Sequence, residues 1–204
     1  MELIFGLVIL VYSAILHEIA HGFVADRLGD PTARLMGRLT LNPKSHIDPF
    51  MSILLPLFLM LSGSPVIFGA AKPVPVDPFN LKEGRKDLAL VALSGPLTNM
   101  LIAIIASILL KFTPSSFLFI GTLLTMIRFY NVLLAIFNLL PIPPLDGSKV
   151  FSLLLPEDTA QAYLSLGSMG MFILFFLLAF PIGGFSLGEF ISNLMSVVLG
   201  LLSF

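Results

Sequence analysis

A chain of 204 residues in which 57% are apolar and 11% charged carries more apolar surface than one soluble domain of that length can hide, because size fixes the surface-to-volume ratio. A net charge of −1 without a basic block argues against a nucleic-acid partner, and the lack of cysteine excludes both a disulfide framework and a thiolate metal site. Lipid is the solvent this composition asks for, and any transition metal must be held by histidine and carboxylate.

The N-terminus is apolar almost from its start. Glu2 is its only early charge, and no small-residue cleavage site follows, so it reads as a retained span and not as a signal peptide. Residues 3–28 contain no proline and are stopped by Gly29-Asp30-Pro31, which predicts one helix. At 1.5 Å per residue His17 lies roughly 21 Å along it from Leu3, inside a hydrocarbon core about 30 Å thick and in the half nearer Arg27.

Residues 33–42 are too polar to cross, and Arg34, Arg38 and Lys44 mark them as cytoplasmic by the positive-inside rule. Their partial alternation predicts a strand or a small β-hairpin. Residues 47–61 are apolar but short and broken by Pro49 and Pro56, which suits a re-entrant or interfacial piece. Residues 66–78 carry Pro73, Pro75 and Pro78 and read as extended, an edge strand at best. Lys82, Arg85 and Lys86 form a second basic cluster.

Residues 88–110 and 117–140 predict two strong spans, the second ended by Pro141, Pro143 and Pro144. Residues 164–180 give a fifth apolar segment and 185–202 a sixth, which crosses or lies on the surface. The expected fold is an all-α polytopic membrane protein with about five to six hydrophobic segments and a small β-hairpin or re-entrant region between the first and second full spans. We expect a single membrane-embedded domain over 1–204, with its core at 1–150 and C-terminal hydrophobic segments at 164–204. Both basic clusters should face the cytoplasm. Parity then brings the end of the first span and the Pro-rich end of the 117–140 span to the same membrane face.

That meeting matters because of His17-Glu18-Ile19-Ala20-His21. Two histidines at i and i+4 project from one helix face, close enough to share a metal, with a glutamate beside them that can take a proton from an activated water. Chance would place H-E-x-x-H in such a chain on the order of once in a thousand. The alternative, two satisfied buried histidines, is weakened by the cost of ionisable groups in lipid. A catalytic zinc takes three protein ligands and keeps one position open. His46 or a carboxylate must supply the third, and Asp146 in Leu145-Asp146-Gly147 is the best placed, although an aspartate after a Pro-rich turn can also be a helix cap. Gly147 would let the chain turn sharply there.

HEIAH on an intramembrane helix, Ser94-Gly95-Pro96 with Asn99 in the next span, and Asn138-Leu139-Leu140-Pro141 running to Leu145-Asp146-Gly147 together resemble the site-2 protease family of intramembrane metalloproteases. The resemblance runs in order over roughly residues 10–150 and implies one Zn²⁺ per chain on His17, His21 and Asp146, Glu18 as general base, and Asn138 holding the substrate or the developing oxyanion. Read from the residues alone, Asn138 could equally be interhelical glue, and Asn99 with Ser94-Gly95-Pro96 is expected to serve packing.

His46 is expected to act in structure or as a gate, not as a ligand. Arg128 either snorkels to the outer interface or pairs with Glu189. The Pro73, Val74, Pro75, Val76 stretch suggests an edge along which a substrate strand is held unwound, the alternative being a plain surface loop.

The reading is a zinc metalloendopeptidase acting on a transmembrane peptide or membrane-protein substrate in the lipid bilayer, in the cell (plasma) membrane, with its active site toward the cytoplasm. Homo-oligomerisation is left open. The competing readings are an inactive membrane scaffold and a metal-binding transporter. The first should have lost a ligand or the glutamate, and the second does not need Glu18. No PDZ-like or CBS-like domain is expected, nor a span before the HEIAH helix.

Overall fold

The computed structural model describes residues 2–49 and 72–203, together with Leu54, Phe58 and Leu61. Most of the expected re-entrant piece at 47–61, and residues 66–71 of the extended stretch, lie outside the described residues.

Among the described residues, three helices are long and apolar enough to cross a membrane: α1 (Glu2–Leu28), α3 (Arg85–Phe112) and α4 (Leu118–Asn138). They pack on one another, with α3 touching both of the others. The short α2 (Thr32–Leu35) follows the first, and α5 (Asp146–Phe151) follows the third. Then come α6 (Glu157–Ser165), α7 (Gly167–Ala179) and α8 (Leu187–Leu201). Leu187, Ile191 and Met195, spaced four apart, bury one face of α8 in the cluster formed by Val132, Ile136 and Leu140 of and after α4.

Two expectations about elements fail. The C-terminal third does not supply two further full spans. The axes of α6 and α7 differ by 71°, so at most one bent fourth span is formed there. The 15 residues of α8 reach only about 22 Å, short of the hydrocarbon core. The β-hairpin is also absent: among the described residues there is no sheet, only an isolated bridge between Ile182 and Phe185.

The alternating tract is instead α2 and its cap. Gly37 has φ +63°, and the Arg38 and Gly37 amides donate to the Ala33 and Arg34 carbonyls, a paired closure that ends a helix and reverses the chain. Gly29 (φ +116°) ends α1 in the same way, with Asp30 N–H donating to Ala25 O.

Asp30 ties this corner together. Fully buried, it accepts from the Thr32 amide (3.1 Å) and hydroxyl, from Asp77 N–H (2.7 Å) and from Asn80 Nδ2 (3.0 Å). Burial pushes its carboxyl up, but the Thr32, Asn80 and Asp77 donors outweigh that and hold it below the usual range. A carboxyl depressed in the fold stabilises above its unfolded value, about 4, and that contribution is lost as pH falls through the folded value. Asp30→Asn, which turns an NH₂ toward donors, should cost about 2–4 kcal/mol at pH 7. In thermal unfolding in detergent, the gap between wild type and variant should narrow below about pH 4. A gap that stays constant with pH would contradict this account.

At the same end of the molecule Arg85 donates to the Ser152 (2.9 Å) and Leu155 (3.2 Å) carbonyls and pairs with Glu157 (2.8 Å). These contacts join the start of α3 to the end of α5 and the start of α6.

Candidate metal centre

His17 and His21 lie one helical turn apart on α1, both buried, with their rings edge to face and centroids 4.5 Å apart. Asp146, also buried, is the first residue of α5. Its Oδ2 lies 3.1 Å from Nε2 of each histidine, and the two Nε2 atoms are 3.0 Å apart. The fold thus brings together three residues separated by up to 129 positions.

The outward ring atoms decide what this triangle is. His17 Nδ1 donates to Asn99 Oδ1 (2.6 Å); the Asn99 amide must have this orientation, because its Nδ2 faces the Ser13 carbonyl (3.3 Å) and Asn131 Oδ1 (2.9 Å). His21 Nδ1 donates to the Val91 carbonyl (2.7 Å), which also accepts from Ser94 Oγ (2.6 Å). Both ring protons are therefore used outward, and the neutral imidazoles turn lone pairs inward to meet a carboxylate. Three acceptors at about 3 Å repel one another unless a cation lies among them, and the spacing is close to that of neighbouring ligands around a four-coordinate ion with bonds of about 2 Å. The group could hold a metal ion, and two imidazoles with one carboxylate and no thiolate suit zinc.

Asp146 reaches the cluster as an anion. Burial pushes its carboxyl up, and the Lys149 ammonium beside it favours the charged form. Lys149 Nζ occupies Oδ1 at 3.0 Å, leaving Oδ2 for the cluster. Gly147 has no positive φ, contrary to the sharp turn expected there. Its requirement is close approach, since a Cβ would run into the Leu139 carbonyl. Gly95 is needed for the same kind of reason: a Cβ would sit 2.6 Å from His17 Cε1 and Nε2 and from His21 Cε1.

Glu18 is half-buried, and its Oε2 accepts the Val74 amide (2.7 Å). Val74 belongs to a strap at 72–77 that has no helix or strand pairing of its own. The strap is tied down elsewhere too: Lys72 N–H donates to His46 O (2.8 Å), Arg38 Nη2 donates to the Lys72 (2.9 Å) and Pro73 (3.3 Å) carbonyls, and Asp77 N–H donates to Asp30. His46 stands apart from the triangle, buried, with Nε2 donating to the Thr40 carbonyl (2.8 Å). Asn138 is half-buried and donates to Leu134 O one turn back (2.9 Å), not to any member of the cluster. Arg128 reaches Ser203 Oγ (3.5 Å), not Glu189.

Sequence reasoning missed Asn99, Ser94 and the Val91 carbonyl as partners of the two imidazoles, and Lys149 as partner of the carboxylate. A fully polar amide inside a predicted span was the available signal, because such a group needs a partner in lipid.

The chain matches the family model described as Peptidase family M50 over residues 5–120 and 114–180. It is 34% identical over 190 residues to a Bacillus subtilis protein named Putative zinc metalloprotease YwhC, covering 87% of this chain and 81% of that one. It is also 34% identical over 169 residues to Rip2 of Mycobacterium tuberculosis, likewise named as a zinc metalloprotease, covering 81% of this chain and 62% of Rip2. It therefore spans less than two thirds of the length of that second relative. No solved structure matches.

Proposed function

The chain belongs to peptidase family M50, the site-2 proteases, and is a zinc metalloprotease and integral membrane protein; from that premise we propose that it hydrolyses peptide bonds of transmembrane substrates within the bilayer. The observation that carries this reading is that two members of the acceptor triangle, His17 and His21, lie on α1, a helix long and apolar enough to span, with Glu18 between them. His17, His21 and Asp146 would hold the metal, which when bound would supply a Lewis acid for the scissile carbonyl and a water that is nucleophilic at neutral pH.

Glu18 takes the proton from the attacking water and passes it to the leaving amine. The Val74 N–H fixes one of its oxygens and leaves the other for that proton. Asn99 and Val91 orient the two rings, and Lys149 keeps Asp146 presenting a single oxygen. The Pro73, Val74, Pro75, Val76 strap, next to the base, holds the substrate as an extended strand, so that its carbonyls are no longer committed to a helix. Asn138 steadies the oxyanion once a substrate has drawn it from its own helix, and His46 sets the strap's position. The concentration of Arg27, Arg34, Arg38, Lys44, Lys72, Lys82, Arg85 and Lys86 near one end supports a site toward the cytoplasmic side of the plasma membrane.

The test is metal content and cleavage by the purified protein in detergent, with a helix-destabilised transmembrane peptide beside a soluble unfolded protein as substrates. The expected result is about one zinc per chain, cleavage of the transmembrane peptide, and loss of both on chelation. Zinc-dependent cleavage of the soluble protein alone would overturn the intramembrane reading, and folded protein that binds no zinc would overturn the assigned ligands.

A further inference from the structure

We propose that Asn131 and Ser13 are positioning residues for the metal site, holding the Asn99 amide in the one orientation that keeps the His17 proton on Nδ1 and its Nε2 lone pair on the metal. The inference rests on the reading of His17 as a zinc ligand. Asn131, on α4, and Asn99, on α3, are both fully buried, and Ser13 is buried on α1 one turn before His17. Nδ2 of Asn131 donates to Ser13 Oγ (2.9 Å) and to the Ile127 carbonyl (2.8 Å). Its Oδ1 accepts Asn99 Nδ2 (2.9 Å), and Asn99 Oδ1 accepts His17 Nδ1 (2.6 Å).

The chain of bonds has a direction. Ile127 O can only accept, so it fixes which end of the Asn131 amide is NH₂, and that fixes the oxygen facing Asn99. Asn99 must then turn its NH₂ to Asn131 and its oxygen to His17. Turning either amide over would set oxygen against oxygen in a site that water does not reach. Without Asn131, the orientation of Asn99 depends on a single longer bond to Ser13 O (3.3 Å). Helix-joining glue would explain polar groups between α1, α3 and α4, but it does not require the run to end on the outward nitrogen of a ligand ring. Outer partners of this kind orient a ligand and set its basicity, and their loss typically lowers metal affinity by about 10–100-fold.

The experiment compares zinc affinity by chelator competition, the visible spectrum of the Co²⁺-loaded protein and thermal stability in wild type, Asn131→Leu, Ser13→Ala and Val132→Ala. Val132 neighbours Asn131, is fully buried in the apolar cluster and makes no bond to this chain. Its truncation should loosen the helices and leave zinc affinity and the Co²⁺ spectrum unchanged. Asn131→Leu should weaken zinc binding by about 10–100-fold and alter the Co²⁺ bands, with Ser13→Ala doing so by a few-fold in the same direction. If Asn131→Leu does not fold, Ser13→Ala carries the test alone. Equal losses in Val132→Ala and the polar variants, or wild-type zinc affinity in the polar variants, would overturn the proposal. Absence of zinc from the wild type would instead remove the reading on which it rests.

Discussion

Glu18→Gln will keep its zinc and stop cutting. The side chain takes no part in the triangle, so zinc content should stay at the wild-type value. Glutamine keeps the shape and can still accept the Val74 amide, so the strap should stay in place. What it cannot do is take a proton from water. Removing a positioned general base typically lowers the rate by about 10²–10⁴-fold. The measurement is turnover of the transmembrane peptide beside zinc stoichiometry on the same preparation. Zinc retained and activity within a few-fold of wild type would remove Glu18 from the chemistry. Zinc lost with the glutamate would mean that it is a ligand and that the triangle has been misassigned.

Gly95→Ala should be nearly as damaging for a different reason. The added methyl would lie 2.6 Å from Cε1 and Nε2 of His17 and from Cε1 of His21, well inside van der Waals contact. Neither ring can retreat without giving up its outward bond, His17 to Asn99 or His21 to Val91. The strain must appear as a displaced ligand, a shifted α3, or both, at about 1–3 kcal/mol for the overpacking alone. Zinc affinity should fall by at least about 100-fold, since a displaced first ligand costs more than a disturbed outer partner. Gly121→Ala is the comparison, because its Cβ would meet nothing nearer than Leu110 Cδ1 at 4.0 Å and the helix-propensity change is the same. If the two alanines behave alike in zinc titration, the close contact at position 95 does not constrain the rings.

The sequence made some of this architecture readable and hid the rest for definite reasons. The long helices announce themselves through uninterrupted apolar runs with Gly29-Asp30-Pro31 and Pro141 as stops, and their order forces the ends of α1 and α4 to one face. The approach of Asp146 to His17 and His21 follows from that parity. Local pattern misled at 33–42, where a one-turn helix closed on Gly37 imitates the alternation of a strand. It misled again after residue 164, because hydrophobicity counts apolar residues but does not register a bend between α6 and α7. The amide network around His17 was invisible for another reason: an asparagine in a span says that a partner exists, and only the packing of α1 against α3 and α4 says which.

The hydrogen bond from Val74 to Glu18 has a consequence for selectivity. The strap is fastened at His46, Arg38, Glu18 and Asp30, so it behaves as a rail and not as a flap. A chain seated along a rail that is fixed to the reagent is cut at a set distance from whichever of its residues lies opposite Val74. Sequence preference would then be read some way from the broken bond, and sliding the target by two residues, the repeat of an extended chain, would move the cut by two residues without any change in the chemistry.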